Sequence, residues 1–192
     1  LSTWDKAITT TERLLTNHQQ QKKALMQRLL TGKQRFAGFE GEWSQIFLGQ
    51  VTDSFSGGTP SRSKSEYYGG NIPWLNTKEI NFNRIYNTEK YITSSGFDNS
   101  SAKWIDANSV IVALYGATAA KVSINTIPLT TNQHCGCLEI DDKKALYRYV
   151  FHWVSFNYEN IKALGQGARG DLNSTIIKNF RLPVPYANDP EK

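Results

Sequence analysis

The stretch "ALYGATAAKVSI", residues 113–124, decides how the middle of this 192-residue chain folds. It follows the apolar run "SVIV" at residues 109–112 and enters a second apolar run through a turn of Gly, Ala and Thr, with one Lys just beyond. Apolar, β-branched runs separated by small turn residues are typical of two strands joined by a hairpin. Small residues also let a ligand approach the backbone closely. The turn is therefore either a plain connection or part of a binding surface.

Further apolar runs on both sides of this stretch predict a β-rich domain. "IPWLNT" (72–77), "KYIT" (90–93) and "HCGCLEI" (134–140) have the composition of strands. Residues 145–165 have apolar side chains at helical spacing, which predicts one helix ended by Gly165. Residues 171–185 predict a short helix, capped by Asp171 or Asn173, followed by an extended segment.

The N-terminal segment has a different texture. Residues 4–31 contain neither Gly nor Pro and predict one helix about 42 Å long, ended by Gly32. About half of its heptad positions are apolar, so it packs either on its own domain or on another helix. A polar pair within the heptad positions would set the register of helix pairing. The candidate pairing residues are Ile8, Leu15, His18, Lys22, Leu25 and Leu29.

The charge of the chain is concentrated in that helix. Residues 1–36 carry seven basic and two acidic residues, which accounts for the whole net charge of +5. The rest of the chain is neutral, so any affinity for nucleic acid there must come from local clusters of side chains. No run of 18 apolar residues is present, and we expect no membrane association.

The residues that could support catalysis or metal binding are few. Cys135 and Cys137 fall on one face of a predicted strand, and His134 beside them has no second ligand cluster, so we expect reduced packing thiols in a cytoplasmic protein. Asp141 and Asp142 precede a predicted helix, where turn or cap chemistry is expected rather than a nuclease site. Phosphate-loop, dinucleotide-binding and nucleophile-elbow motifs are absent. The sequence predicts no catalytic activity, no metal and no cofactor.

Polar loops that suit DNA binding remain. Residues 55–80 form a polar loop bracketed by two Gly pairs, which let it follow an irregular surface. Its Arg, Lys and hydroxyl groups suit phosphates or base edges, and Asn and Gln suit adenine, although the same side chains also serve solvated loops and turns. The candidate residues are Thr59, Ser61, Arg62, Ser63, Lys64, Tyr67, Asn132, Gln133, Gln166 and Arg169.

Five segments together resemble the specificity subunits of type I restriction–modification systems. They are "QQKKALMQRLLTGKQRF" (20–36), "GGTPSRSKSEYYGGNIPWLNTKEI" (57–80), "GATAAKVSI" (116–124), "TTNQ" (130–133) and "GQGARGDLNSTIIKNFRLPVP" (165–185). They occur in the family's order. The resemblance implies an α+β fold: a long spacer helix with its linker (1–35), then a compact target-recognition domain (36–192) with a mixed, curved sheet and peripheral helices. The chain would be the end of one spacer helix and one recognition domain of a longer subunit.

The resemblance also implies a function and partners. The domain would recognise one half of a bipartite duplex DNA target, its helix would pair with a second spacer helix and dock methyltransferase subunits, and a restriction subunit would join the complex. Because "GATAAKV" recurs in the family whatever the target, Thr118 and Lys121 are expected to position a phosphate. The residues expected to read bases are Arg62, Ser63, Lys64, Tyr67, Lys78, Gln133, Gln166 and Arg169. Two other functions stay open: a recognition module of a single-chain restriction–methylation enzyme, and a helix-mediated assembly or inhibitor protein.

Overall fold

The computed structural model describes residues 2–38, 41–167 and 170–185. The chain divides into two compact units, Leu1–Ser44 with Pro183–Lys192, and Gln45–Leu182. A long helix dominates the first unit, and mixed β-sheets with peripheral helices form the second. The predicted α+β fold class is confirmed.

The elements follow one another in this order. The helices are α1 (Thr3–Leu29), α2 (Ser94–Asp98), α3 (Tyr147–Phe156), α4 (Tyr158–Ala163) and α5 (Ser174–Lys178). The strands are β1 (Ser44–Phe47), β2 (Thr52–Ser56), β3 (Tyr68–Leu75), β4 (Arg84–Ile85), β5 (Tyr91–Ile92), β6 (Trp104–Ile105), β7 (Val110–Ala113), β8 (Val122–Asn125), β9 (Leu129–Thr131), β10 (Cys135–Ile140) and β11 (Arg181–Val184). In the described part of the chain, no helix combines the length and apolar character that crossing a membrane requires.

Helix α1 begins at a reciprocal cap. The backbone N–H of Asp5 donates to the Ser2 hydroxyl (3.1 Å), and the Ser2 N–H donates to the Asp5 carboxylate (2.9 Å). The Ser2 hydroxyl also donates to the Asp5 carboxylate (2.8 Å), and this bond together with the one from the Ser2 N–H lowers the pKa of Asp5. The chain turns at Gly32, whose φ of +71° suits glycine. None of the 27 residues of α1 is buried, so its apolar side chains are free for a partner.

Two sheets carry the second unit. The larger has the order β2-β10-β7-β8-β4 and the smaller β5-β3-β9-β6, while β1 pairs with β11. Most neighbours are antiparallel, but β4 pairs with β8 and β3 pairs with β9 in parallel. Both sheets are therefore mixed.

The main core lies between these two sheets. Leu75, Ile105 and Leu129 come from the smaller sheet, and they pack in one cluster with Ile111 and Cys137 of the larger sheet. Strand β7 is buried on both faces, because α3 contacts β7 and β8 on the side away from this cluster. That is why the run at 110–113 is apolar throughout instead of alternating.

The two cysteines are part of this core, as predicted. Cys135 and Cys137 are both buried and free. Burial raises the pKa of the Cys137 thiol to about 12 and that of Cys135 well above its usual value. Among the described residues no cluster of His, Cys, Asp or Glu is suited to hold a metal ion.

The predicted single helix over 145–165 is wrong, because the structure has two helices there. The chain breaks at Asn157, whose backbone N–H and side-chain amide both donate to the Trp153 carbonyl (3.0 Å each). An Asn side chain that binds a nearby carbonyl competes with the helical hydrogen bonds. Downstream, Asn173 is the cap of α5, since its side chain accepts from the Ile176 N–H (2.9 Å).

The acidic pair after β10 belongs to a turn. The Asp141 carbonyl accepts from the N–H groups of Lys144 (2.8 Å) and Ala145 (3.0 Å), and its carboxylate accepts from the Lys143 N–H (3.1 Å) and pairs with Lys144. The hydrogen bond from Lys144 is the main cause that lowers the pKa of Asp141. This is the turn chemistry that the sequence predicted.

The first glycine pair of the polar loop, Gly57 and Gly58, is a site of close backbone approach. A Cβ at Gly57 would lie 2.1 Å from the Thr131 carbonyl oxygen, and one at Gly58 would lie 2.3 Å from the Ser101 carbonyl carbon. The Gly58 N–H donates to the Thr131 carbonyl (2.9 Å). These contacts hold β2, β9 and the chain before β6 together.

Gly58→Ala should therefore destabilise the protein. The added methyl group meets backbone atoms that cannot move independently, and we expect a loss of about 1–3 kcal/mol in the free energy of unfolding. Gly49→Ala is the control, because its Cβ would meet the Lys178 Cβ at 3.1 Å, a contact that a shift of a few tenths of an ångström relieves; its effect should stay within about 1 kcal/mol. Urea unfolding measures both. Equal effects of the two substitutions would contradict the role given to Gly58.

Candidate nucleic-acid interface

One edge of the larger sheet collects several loops. Gly136 lies opposite Ser56 in the β10–β2 pair, and Cys135 lies opposite Ala113 in the β10–β7 pair. The start of β10 therefore meets the ends of β2 and β7. Strand β8 begins beside the end of β7, and the chain before β4 joins it, because the Phe82 N–H donates to the Val122 carbonyl (2.8 Å).

The smaller sheet ends at the same edge. Leu75 lies beside Thr131 in the parallel β3–β9 pair, and the Asn132 N–H donates to the Leu75 carbonyl (3.1 Å). Parallel strands place their carboxyl ends together, so the segment after β3 lies beside the segment after β9. We call the combined surface the loop edge; it consists of residues 57–59, 76–83, 114–121 and 132–134.

The stretch 113–124 is the hairpin connection between β7 and β8 within the loop edge. The Ala120 N–H donates to the Ala113 carbonyl, and the Ala113 N–H donates to the Lys121 carbonyl (2.9 Å each). Ala119 and Ala120 are buried, and Ala120 takes a positive φ of 67°. Close packing thus explains the alanines, while residues 115–117 stay exposed.

The lysine of this stretch reaches across the loop edge. Lys121 is half-buried, and its Nζ donates to the Asn81 side-chain oxygen (2.8 Å). An ammonium group carries three donors, so two remain after this bond. Thr118, also half-buried, lies in the exposed turn just before it. Both predicted phosphate-positioning residues therefore belong to the loop edge.

Hydrogen bonds join the polar loops to one another. The Thr59 hydroxyl donates to the Gln133 side-chain oxygen. The Asn132 side-chain N–H donates to the Asn76 side-chain oxygen (3.2 Å). The Leu114 N–H donates to the His134 carbonyl (2.9 Å). The loop edge is therefore a connected surface rather than a set of independent loops.

The polar loop extends from this surface. Arg62 follows Thr59 by three residues, so their Cα atoms lie within about 11 Å of each other. The loop is anchored where the Tyr68 hydroxyl donates to the Pro60 carbonyl (2.6 Å) and the Thr93 hydroxyl donates to the Glu66 carbonyl (2.9 Å). Its tip is exposed.

The cations of this region are available for an anionic ligand. Within the described residues, no acidic side chain forms an ion pair with Arg62, Lys64 or Lys78, and all three are exposed. The Nζ of Lys64 lies 5.1 Å from the centre of the Tyr67 ring. A hydrogen bond with Tyr67 raises the pKa of Lys64, so this lysine is charged at neutral pH.

The predicted residues differ in how far they reach solvent. Exposed and half-buried members of the set could touch a ligand directly. The exposed ones are Ser61, Arg62, Ser63, Lys64, Lys78, Gln133 and Gln166, and the half-buried ones are Thr59, Thr118 and Lys121. Arg169 lies outside the described residues.

The predictions for Tyr67 and Asn132 need correction, because both are buried. Tyr67 is 6% exposed, and its carbonyl accepts from the Thr93 N–H (3.0 Å). Asn132 is 9% exposed, and its side-chain oxygen accepts from the His134 N–H (2.9 Å). Burial leaves little surface of either side chain for contact with a ligand, and the Asn132 side chain instead holds the backbone of His134 in place. For Asn132 this agrees with the alternative that the sequence allows, an asparagine that holds a turn in place.

Gln166 lies on a loop that adjoins the loop edge. Its backbone exchanges two hydrogen bonds with Asp171, at 2.8 and 3.0 Å. The next residue, Leu172, donates its N–H to the Leu114 carbonyl (2.8 Å). This contact brings a distant part of the sequence to the end of β7.

Three aromatic residues of the loop edge were not predicted. Tyr115 is 39% exposed, and its ring centre lies 5.0 Å from that of the exposed His134. Phe82 is 37% exposed. Tyr115 stands directly before the glycine of the "GATAA" turn, so its position was a signal. Phe82 stands between two asparagines, and the only signal of a functional role in the sequence was an aromatic residue within so polar a turn.

Comparison with known proteins identifies the family. Residues 40–191 match the family described as "Type I restriction modification DNA specificity domain". The chain belongs to this family. The match confirms the resemblance found in the sequence. It also agrees with the prediction that the chain is not an enzyme, since the family is described as a DNA specificity domain and the relatives are named specificity subunits.

Two curated relatives show how much of a specificity subunit is present. The EcoR124I/EcoR124II specificity subunit of Escherichia coli is 29% identical over 160 residues, which are 80% of this chain and 39% of the relative. The MjaIX specificity subunit of Methanocaldococcus jannaschii is 28% identical over 158 residues, 79% of this chain and 36% of the relative. The chain thus spans about two fifths of the length of these relatives.

Solved structures share the fold of this specificity domain. The HsdS subunit of Thermoanaerobacter tengcongensis matches with a TM-score of 0.65 and 14% identity, covering 94% of this chain and 43% of that one. The S subunit of a type I restriction–modification system from M. genitalium matches with a TM-score of 0.68 and 12% identity, covering 94% and 46%.

Asn132→Ala should destabilise the specificity domain. The substitution leaves the His134 N–H and the Asn76 side chain without their partner, and we expect a loss of about 1–3 kcal/mol in the free energy of unfolding. Gln133→Ala, at the exposed neighbour, should change it by no more than about 0.5 kcal/mol. Urea unfolding of the two variants measures both changes in the free energy of unfolding. A neutral Asn132→Ala would contradict the supporting role.

Proposed function

We propose that this specificity domain recognises one half of a bipartite duplex DNA target within a type I restriction–modification complex. The observation that carries the proposal is the loop edge: one continuous surface gathers exposed or half-buried donors from four segments of the chain. Duplex DNA offers phosphates and base edges along one face, and a rigid surface with several donors suits both.

The donors divide into two roles. Lys121 and Thr118 lie on the well-packed β7–β8 connection, and a fixed cation there positions a phosphate without reading sequence. Arg62, Lys64 and Lys78 lie on loops whose tips are exposed, where longer side chains reach base edges. Ser63, Gln133 and Gln166 complete the proposed reading set, which also includes Arg169.

Helix α1 supplies the proposed contacts with other proteins. Residues 1–35 form the spacer helix and linker in this proposal, and 36–192 form the recognition domain. Exposed apolar residues such as Ile8, Leu15 and Leu25 suit a second helix, and His18 and Lys22 would set its register. Methyltransferase subunits dock on the paired helices, and the restriction subunit joins through the assembled complex. The complex acts in the cytoplasm, where the DNA is.

Exchange of the compact unit Gln45–Leu182 tests the proposal directly. The unit is replaced, in the complete specificity subunit, by the equivalent unit of a relative with another target, and methylated sites are mapped in cells that carry the whole system. We expect one half of a split methylated motif to change and the other half to stay. An unchanged motif would contradict the proposal and favour an assembly or inhibitor protein. A catalytic region in the same polypeptide would instead indicate a single-chain enzyme.

The charge of Lys121 should appear in the salt dependence of DNA binding. Lys121→Gln removes one phosphate contact, so the slope of log affinity against log salt concentration should become shallower by about 0.9, for specific and non-specific duplexes alike. Fluorescence anisotropy with the assembled complex measures it. The control is Lys143→Gln, an exposed lysine after the far end of β10. A change restricted to one DNA sequence would overturn the phosphate role.

A further inference from the structure

We infer that Phe82 is a specificity-determining residue, an apolar finger that packs against the 5-methyl group of one thymine in the target. The inference rests on the proposed function, because it assigns one contact on the proposed DNA surface. Three observations carry it: the backbone of Phe82 is strained, the turn around it is held rigidly, and two lysines contact residues next to its exposed ring.

The strain is in the backbone. Phe82 has a φ of +58°, a region that bulky side chains rarely adopt and that Asn adopts far more readily. Asparagines stand on both sides of Phe82, so this turn accepts Asn, yet the position with the positive φ is occupied by Phe. The ring is nevertheless 37% exposed, so the strained position presents apolar surface to solvent. Strained residues of this kind concentrate at functional sites.

Hydrogen bonds to β8 hold the strained turn in place. The Phe82 N–H donates to the Val122 carbonyl (2.8 Å), and the Asn83 carbonyl accepts from the Ile124 N–H (3.1 Å). The Asn83 side-chain oxygen accepts from the Asn81 N–H (2.9 Å) and from the Ser123 hydroxyl (2.6 Å). Backbone bonds and the Asn83 side chain therefore fix this turn, and the turn holds Phe82 in one orientation.

Two lysines contact residues next to the exposed ring. The ring of Phe82 packs on Tyr158, with ring centres 5.2 Å apart and nearly perpendicular planes. The Nζ of Lys162 lies 3.2 Å from the Tyr158 hydroxyl, and the Nζ of Lys121 lies 2.8 Å from the side-chain oxygen of Asn81. Ammonium groups near an apolar tip suit a DNA groove, whose walls carry phosphates.

The ring reaches a surface feature of DNA rather than the space between base pairs. Contact with Tyr158 leaves only part of Phe82 free, which is too little for insertion into the base stack. The apolar features on the outside of a duplex are the deoxyribose faces and the thymine methyl group in the major groove. Of these, the methyl group alone distinguishes one sequence from another.

Selection from a random duplex pool tests the inference. The assembled complex selects sequences once with the natural subunit, once with Phe82→Asn and once with Phe82→Tyr. Asn tolerates the positive φ, so Phe82→Asn should melt at the same temperature or higher. Its pool should lose the preference for thymine at one position and keep the others. Phe82→Tyr keeps the ring and should keep the preference.

A second measurement changes the DNA and starts from the natural complex. Deoxyuridine in place of that thymine removes only the methyl group, and the affinity of the natural complex should fall about fourfold. The same replacement should not affect Phe82→Asn. Phe47→Asn is the matched control, because Phe47 is 44% exposed on β1, away from the loop edge.

The outcomes separate this inference from the proposed function. If the natural complex enriches a sequence and the Phe82→Asn pool is identical, Phe82 does not read a base and the inference is overturned alone. If affinity falls while the selected sequence stays the same, Phe82 touches the sugar and the thymine assignment is overturned. If the natural complex enriches nothing, the proposed function fails, and this inference fails with it.

Discussion

The close crossing of Gly57 and Gly58 with Thr131 is the constraint on which the recognition surface depends. Strand β2 belongs to the larger sheet and Thr131 to the smaller one, so this crossing joins the two sheets at one point. The approach is possible because neither glycine carries a Cβ. It places the end of β2, the end of β9 and the start of β10 together, and the polar loops that leave these strands share one edge.

A division of labour between buried and exposed polar groups follows. Asn132 and Tyr67 are buried and hold loop backbones in place, whereas Arg62, Lys64 and Gln133 are exposed at or beside the same edge. A buried amide that satisfies its neighbours gives rigidity, because leaving those groups unpaired is costly. Such support keeps the exposed residues of this DNA specificity domain on a fixed scaffold.

Phe82 and α1 both present apolar surface to solvent. The strained backbone of Phe82 carries a ring that is 37% exposed, and α1 exposes apolar side chains such as Ile8 and Leu15. A second molecule that covers these surfaces would gain free energy from their burial. We propose DNA for the first and a second helix for the second.

Local features of the sequence were enough for several elements. The apolar periodicity, the absence of Gly and Pro and the end at Gly32 predicted α1, because helix ends and faces depend on residues within one or two turns. The runs around residues 72–77 and 109–140 predicted strands, and the i, i+2 spacing of Cys135 and Cys137 predicted their shared buried face. The order of five motifs pointed to the family that the comparison then identified. Residue types alone also selected most of the polar loops of the candidate surface.

Tertiary structure decided the rest, because it depends on contacts between residues far apart in the chain. The sequence could not show that Tyr67 is buried. Helix α2 and Thr93, which precedes that helix, pack against the segment that contains Tyr67. Nor could the sequence show that Phe82 is strained, because hydrogen bonds from β8, some 40 residues later, impose that conformation. Strand pairing and the glycine crossing set which loops meet. Residue types determined what chemistry was available, and long-range packing determined where that chemistry faces solvent.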